Sequence, residues 1–251
     1  MGETIVFTSG KGGVGKTTTI ANIGAGLSQL DKKVVMLDTD MGLRNLDVVM
    51  GLEDRINYNL LDLLEGKCRL NQALIRDKRF PNLFLIPASL KCVSMDKYEQ
   101  AFKNLMYHLT KEFDYCLVDC PAGIEQGFRF AISVADRAIL LTTPQISAVK
   151  DASRVLNILK GSSIEKVDLI LNDYDDKLAR KHHMLSKKDI AELFDIPILG
   201  TISHDNKILI SQNKGIPVVA LRSKAAKTYL QLAKQMINEI SLEGEMVYDF
   251  S

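Results

Sequence analysis

Short apolar runs alternate with segments of helical periodicity along the whole chain. Residues 5–7 form an apolar run that is too short for a helix and predicts a buried strand, whereas residues 19–30 carry apolar side chains at helical spacing. Further strands are predicted at 33–37, 83–86, 114–120, 138–142, 167–172 and 198–202. Helices are predicted within 41–51 and at 58–65, 97–111, 126–134, 148–159, 187–194 and 223–241.

This alternation predicts an α/β fold. Because the strands are apolar on both faces, we expect a doubly wound, mostly parallel sheet with helices on both sides. No linker-like run of proline, glycine or serine divides the sequence, so residues 1–251 are predicted to form a single domain. Apolar residues make up 46% of the chain, which is enough for a sizeable core.

Composition narrows the functional classes. The net charge of +1 gives no global field that would attract nucleic acid or an acidic substrate. No basic start is followed by an apolar run, and no apolar stretch reaches ~18 residues, which predicts a cytoplasmic protein. The four cysteines form no C-x-x-C pair, so we expect them to be reduced and non-ligating; they are Cys68, Cys92, Cys116 and Cys120.

A glycine-rich loop lies between the first strand and the first helix. Residues 10–17 fit the pattern G-x-x-x-x-G-K-[ST] of a phosphate-binding loop, in the strand–loop–helix context that this pattern requires. Such a loop turns backbone N–H groups towards phosphate oxygens, while Lys16 can reach the β- and γ-phosphates and the Thr17 hydroxyl can hold Mg²⁺. The predicted nucleotide-binding residues here are Gly10, Lys11, Gly12, Gly13, Val14, Gly15, Lys16, Thr17 and Thr18.

Carboxylates end two further strands. Ligands of an open parallel sheet bind beyond the carboxyl ends of its strands. Asp119 follows an apolar strand there and is predicted to hold Mg²⁺, together with Thr17, because Mg²⁺ takes one or two carboxylates and keeps several waters. Asp38 and Asp40 end the second strand, and their spacing alone does not decide which of them faces the reacting phosphate.

The loop sequence K-G-G-x-G-K-T-T, with Lys11 at its start, resembles the deviant phosphate loop of the MinD/ParA family of ATPases. Residues 38–47 resemble the first switch of the MinD branch, residues 119–125 its second switch and residues 213–218 a late segment, so matches spread over about 2–240. The resemblance implies an ATP-dependent homodimer that hydrolyses ATP to ADP and phosphate with Mg²⁺. It implies that Lys11 and Lys16 are catalytic, with Lys11 reaching the partner's nucleotide, and that Asp40 orients or deprotonates the attacking water. Asp38 would instead brace Lys11 or the loop.

The resemblance also implies partners. Members of the MinD branch place the division septum with a MinC-like inhibitor and a MinE-like activator, at sites near the dimer seam that correspond to Arg44, Glu125 and Asp151. Asn172 matches a family position that often reads the adenine edge. The arginine that commonly follows in the family is absent, since the chain continues with Asp173 and Tyr174.

The last ten residues depart from the family pattern. MinD proteins usually end in a basic amphipathic helix that binds anionic membrane, which would make the protein peripheral on the inner face of the cell membrane. Residues 242–251 carry three acids and neither lysine nor arginine, so the sequence leaves membrane binding open. The preceding apolar stripe, from Ala226 to Ile240, is expected to pack on the sheet rather than on lipid.

Three other functions are compatible with the same motifs. A ParA-like partition or flagellar-number ATPase would need a basic surface for DNA. That surface would consist of Lys177, Arg180, Lys181, His182, His183, Lys187 and Lys188. Asp175, Asp176 and Asp189 dilute it, which argues against nucleic acid. The second function is that of an iron–sulfur carrier, which would need cysteine ligands such as Cys120. The third is that of a nucleotide-binding scaffold that does not hydrolyse ATP.

Overall fold

The structure is a computed structural model that describes residues 1–246, with side chains up to residue 238. Every strand in this part of the chain belongs to one sheet. The strands are β1 (Glu3–Ser9), β2 (Val34–Asp38), β3 (Ile75–Arg76), β4 (Leu83–Ile86), β5 (Tyr115–Asp119), β6 (Arg137–Thr142), β7 (Lys166–Tyr174) and β8 (Ile198–Ser203). Their order across the sheet is β3-β4-β2-β5-β1-β6-β7-β8, and all neighbours are parallel except β3 and β4. This is the mostly parallel sheet that the sequence predicts.

Helices cover both faces of the sheet. They are α1 (Lys16–Gln29), α2 (Leu46–Met50), α3 (Leu60–Leu64), α4 (Leu70–Ala73), α5 (Glu99–Glu112), α6 (Gln126–Ile132), α7 (Ile146–Lys160), α8 (Asp176–Arg180), α9 (Lys187–Phe194), α10 (Asn206–Gln212) and α11 (Lys224–Met246). Alternate residues of β1 enter two separate cores, with Ile5 and Phe7 on the face of α1 and α11, and Val6 on the face of α5 and α7. The doubly wound arrangement is therefore confirmed.

The predicted apolar stripe of α11 packs inside the protein. Tyr229, Ala233 and Met236 are buried in the core on the face of α1, and α11 contacts both α1 and β8. The side chain of Ile240 lies outside the described residues. Within the part of the chain that the structure covers, no helix is long and apolar enough to cross a membrane.

Five predictions about the elements were incomplete or wrong. The sequence pattern did not indicate α4, β3, α8 or α10, because elements of two to seven residues are too short to show a clear period. The last helix does not end at 241 but continues to Met246 and includes Gly244, since one interior glycine costs only about 1 kcal/mol relative to alanine. Residues 242–246 of the predicted acidic tail are thus helical, and its remainder lies outside the described residues.

The register of the central strands brings three chain segments together at one edge. Asp119 at the end of β5 lies beside Phe7 of β1 on one side and beside Asp38 of β2 on the other. Because all three strands are parallel, their carboxyl ends open onto the same edge. The loops that follow β1, β2 and β5 therefore meet above the middle of the sheet, the position where open α/β sheets bind ligands.

Candidate active site

The glycine loop joins β1 to the start of α1. Gly15 has φ of +89°, a left-handed conformation, and a Cβ at this position would lie 2.2 Å from Nδ2 of Asn172, so only glycine fits. Because α1 begins at Lys16, its first free N–H groups point into the loop and form an anion site. The loop forms part of the lining of a cavity of about 1250 Å³.

Lys16 extends to the end of β5. Its Nζ donates a hydrogen bond to Oδ1 of Asp119 at 3.2 Å, and both side chains are almost fully buried. Burial lowers the pKa of Lys16, but the neighbouring acidic groups, Asp119 foremost and Asp40 among them, together outweigh it, and the pKa is raised. The lysine is therefore held as a cation where phosphate would enter. Thr17 and Thr18 follow it, and both line the cavity.

Asp38 organises the segment after β2. One carboxylate oxygen accepts the Asp40 N–H at 2.9 Å, and the other accepts the N–H groups of Asn45 and Leu46, each at 3.1 Å. Burial and the neighbouring Asp119 raise the pKa of Asp38 to about 7, although these hydrogen bonds lower it. Asp38 thus braces the segment after β2 and the start of α2, and none of these three hydrogen bonds goes to Lys11 or to the glycine loop.

Asp40 lies half-buried beside the same cluster. Burial raises its pKa, the charge of Lys16 lowers it, and the charge of Asp119 raises it again; the net direction is upward. The structure thus brings Asp40 close to Lys16 and Asp119. The oxygens of Asp38, by contrast, accept hydrogen bonds from backbone N–H groups. A carboxylate with raised proton affinity at this position is suited to act on a water molecule.

The segment after β5 is fixed to its neighbours through the backbone. Thr39 hydrogen-bonds the Asp119 carbonyl through both its hydroxyl, at 2.7 Å, and its N–H, at 3.0 Å. The Gly123 N–H donates to the Ser9 carbonyl at 3.0 Å, just before the glycine loop. Both predicted switch segments are therefore anchored where they leave the sheet.

Asn172 contacts the glycine loop directly. Its Nδ2 donates to the Val14 carbonyl at 2.8 Å, and the side chain lines the cavity. This bond is compatible with the predicted contact with adenine, because it uses only the nitrogen of the Asn172 carboxamide and leaves the oxygen for the base. The next residue, Asp173, accepts a 2.6 Å hydrogen bond from Nδ1 of His204, which also lines the cavity.

The other predicted residues lie in different settings. Lys11 is exposed at the start of the loop. Arg44 faces the buried Asp47, with its Nε at 3.1 Å from Oδ2, so it is tied to α2 rather than free on the surface. Glu125 is exposed at the start of α6. The backbone of Asp151 packs against Gly10, where a Cβ would lie 2.2 Å from it.

Two features bear on the alternative functions. Each of the seven residues of the predicted basic surface is exposed. Cys120 is fully buried, and its thiol donates to the Pro121 carbonyl at 3.3 Å. Burial raises the pKa of Cys120 to about 12, which disfavours the thiolate that metal binding requires. Among the residues described, no three His, Cys, Asp or Glu side chains are grouped to hold a metal.

Sequence reasoning also missed the residues that support one wall of the cavity. Asp77 and Arg79, in the loop between β3 and β4, hold the end of α2 against Gly215 through the Arg79 guanidinium. The sequence around Arg79 does not indicate this role, because the guanidinium contacts backbone carbonyls that are far away in the sequence.

A glycine loop, a buried lysine and strand-end carboxylates on a doubly wound parallel sheet define a phosphate-loop nucleotide-binding protein. A family model described as an AAA domain matches residues 2–174. The septum site-determining protein MinD of Bacillus subtilis is 45% identical over 242 residues, covering 95% of this chain and 90% of the relative. The chain belongs to the MinD family of ParA-type phosphate-loop ATPases.

Solved structures agree with this assignment. The MinC:MinD cell division protein complex of Aquifex aeolicus contains a chain that is 39% identical, with a TM-score of 0.86 over 94% of this chain and 96% of that one. MinD of Pyrococcus horikoshii, complexed with Mg-ADP, is 30% identical, with a TM-score of 0.83 over 94% and 96% of the two chains.

Proposed function

We propose that this chain is an ATP-hydrolysing switch in placement of the division septum, which binds ATP with Mg²⁺, dimerises and is released by hydrolysis. One observation carries the proposal: Lys16 meets Asp119 at 3.2 Å beneath the glycine loop, with Asp40 beside them. A buried cation, a buried carboxylate and a half-buried carboxylate of raised pKa are the groups that phosphoryl transfer needs at one point.

Binding would exchange one partner of Lys16 for another. The loop N–H groups receive the phosphates, and the Lys16 ammonium turns from Asp119 to the β- and γ-phosphate oxygens. This frees the Asp119 carboxylate. The Thr17 hydroxyl and the Asp119 carboxylate are oxygen donors of the kind that Mg²⁺ prefers, and they would hold it. When bound, the metal neutralises charge on the β- and γ-oxygens.

Hydrolysis would depend on Asp40. A water oxygen attacks the γ-phosphorus, the bond from that phosphorus to the β–γ bridging oxygen breaks, and ADP and phosphate form. Asp40 accepts a hydrogen bond from the water and takes its proton, a role supported by the upward shift of its pKa. Asp38 holds the Asp40 N–H at 2.9 Å and so fixes the backbone from which Asp40 acts.

Exposed apolar side chains support a dimer formed over the site. Leu43, Ile124 and Ile146 are 66%, 42% and 77% exposed, and they lie in the segments that follow β2, β5 and β6 at the edge occupied by the glycine loop. Large apolar side chains exposed around one site are typical of a surface that a partner covers. Exposed Lys11 would then reach the nucleotide of the second copy.

The proposal includes a MinC-like inhibitor, a MinE-like activator and a membrane surface as partners. The family assignment supports the inhibitor, since a MinD relative from Aquifex aeolicus forms a complex with MinC. Glu125 lies in the second switch, and the backbone of Asp151 packs against Gly10 of the glycine loop, so both residues are close to segments that would sense the bound nucleotide.

Sedimentation velocity with ATP, ADP and no nucleotide tests the switch, with Mg²⁺ present and phosphate release measured in parallel. We expect a dimer with ATP only, and loss of that dimer in Lys11→Ala. Lys91→Ala removes another exposed lysine and serves as the matched control. Co-sedimentation with anionic vesicles, measured in the same three states, tests the membrane step.

A monomer in all three nucleotide states would overturn the dimer switch. ATP binding without phosphate release would indicate instead that the protein is a non-hydrolysing nucleotide-binding scaffold. ATP-dependent dimers that remain in solution with vesicles would assign membrane contact to a partner.

A further inference from the structure

The guanidinium of Arg79 joins two segments that are far apart in the sequence. Its Nη1 donates to the Gly215 carbonyl at 2.7 Å, and its Nη2 donates to the carbonyl of Met50, the last residue of α2. Asp77 holds the guanidinium in place, accepting from Nε at 3.0 Å and from Nη2 at 2.6 Å. Since Asp77 is 1% exposed, the fork is fixed from inside the protein.

The two segments also touch through their glycines. Gly51 and Gly215 have φ of +60° and +61°, and a Cβ on Gly51 would lie 2.7 Å from the Gly215 carbonyl oxygen. A Cβ on Gly215 would lie 2.6 Å from the Gly51 Cα. Both positions require glycine, so the segments meet backbone to backbone, and Arg79 bonds to both sides of this contact.

The same contact forms a wall of the nucleotide cavity. Gly51, Glu53, Asn213, Lys214 and Gly215 line the cavity at positions outside the glycine loop. Since the glycine loop would take the phosphates, we place the nucleoside against the cavity lining outside the loop, which includes this wall. The opposite end of α2 is held by Asp38, so one short helix spans from the switch carboxylates to this wall.

We infer that Arg79 is a positioning residue for the nucleoside half of the bound nucleotide, an inference that rests on the proposed function. Its hydrogen bonds go to Asp77, Met50 and Gly215 and to no atom of the glycine loop. Without them the wall loses its fixed position, and a ligand has to order it on binding. Loss of these bonds should therefore weaken binding of the nucleoside and leave binding of the phosphates unchanged.

Isothermal titration with ADP and with inorganic pyrophosphate separates these two halves of the site. In Arg79→Ala we expect about 10-fold weaker ADP binding and pyrophosphate affinity within about twofold of the native protein. In ATP hydrolysis, KM rises by about 10-fold while kcat stays within about twofold. Arg79→Lys should behave like Arg79→Ala, because an ammonium cannot reproduce a fork that serves two carbonyls and a carboxylate.

Arg76→Ala is the matched control. Arg76 ends β3, three residues before Arg79, and its Nε donates to the Pro81 carbonyl at 2.8 Å, within the same part of the chain rather than to Met50 or Gly215. It should leave both affinities unchanged. Gly215→Ala is an independent variant that disturbs the glycine contact and keeps Arg79, and it should weaken ADP selectively as well.

Equal weakening of ADP and pyrophosphate in Arg79→Ala and Arg79→Lys would overturn the inference, since general destabilisation affects both ligands. Unchanged ADP affinity in both variants would also overturn it. If the native protein binds ADP but hydrolyses no ATP, the proposed hydrolysis fails, whereas the comparison of ADP with pyrophosphate still decides the role of Arg79. If it binds neither ligand, both proposals fail.

Discussion

Nζ of Lys16 lies 3.2 Å from Oδ1 of Asp119, and the two side chains are 9% and 2% exposed. The residues are 103 positions apart and meet because β1 and β5 are parallel neighbours whose carboxyl ends coincide. Each charge compensates the other where water is largely excluded. Removing one partner therefore leaves a buried charge without its counterion, an arrangement that is strongly destabilising.

A Lys16→Met variant, which keeps the side chain's length, should lower the free energy of unfolding of the nucleotide-free protein by about 3 kcal/mol. Asp119→Asn should have an effect of similar size. The double variant should lose clearly less than the sum, because neither charge then remains alone. Urea unfolding of the four proteins measures this. Additive losses would show that the pair contributes nothing as a pair.

The local part of the site could be predicted from the sequence, because the motif, the preceding strand and the following helix are contiguous. The strand-end position of Asp119 followed from its apolar run in the same way. The contacts of Asn172 with Val14 and of Arg79 with Gly215 could not, since they join residues 158 and 136 positions apart. These contacts depend on where loops settle after the sheet has formed.

The roles of Asp38 and Asp40 could not be predicted from the sequence either, although the two residues are close together in it. Both follow β2 within two residues, so the sequence alone offers each of them as the catalytic carboxylate. The structure separates the two, because the oxygens of Asp38 accept three backbone N–H groups.

Asp40→Asn should lower kcat for ATP by about 10² to 10⁴-fold and leave ATP affinity nearly unchanged. The amide keeps the size of the side chain but cannot take a proton from water. Steady-state phosphate release and nucleotide titration measure the two effects separately. Asp54→Asn changes an exposed carboxylate and should match the native protein. A native turnover rate in Asp40→Asn would show that another group orients or deprotonates the attacking water.

The raised pKa of Asp38 predicts a pH dependence of stability. Its folded-state pKa is about 7, against an ordinary value of 3.8, so the folded protein binds more protons than the unfolded chain between these values. Stability should therefore fall as pH rises from about 4 to about 7, and this contribution should level off above that window. Asp40 and Asp47, whose pKa values burial also raises, add in the same direction.

Thermal unfolding of the nucleotide-free protein at constant ionic strength, from pH 4 to 8, measures this slope. Asp38→Asn should have a flatter profile, even though its unfolding temperature is lower at every pH because the amide presents N–H groups to Asn45 and Leu46. Asp54→Asn should keep the native slope. An unchanged slope in Asp38→Asn would mean that other groups carry the pH dependence.

Gly15 and Asn172 give a prediction in which one substitution partly relieves another. In Gly15→Ala the new methyl group meets Nδ2 of Asn172 at 2.2 Å and also strains a backbone with φ of +89°. Gly66→Ala isolates the backbone effect, because Gly66 has φ of +69° and no heavy atom within 4 Å of the added Cβ. It should lose about 1–2 kcal/mol of unfolding free energy, and Gly15→Ala should lose more.

Asn172→Ala alone should lose about 1 kcal/mol, because it removes the bond to the Val14 carbonyl. Combining Gly15→Ala with Asn172→Ala removes the steric clash and leaves the backbone strain and the lost hydrogen bond, so the double variant should lose less than the two single losses together. Urea unfolding of the five proteins decides this, and a double variant that loses the full sum would show that the loop, not Asn172, gives way to the new methyl group.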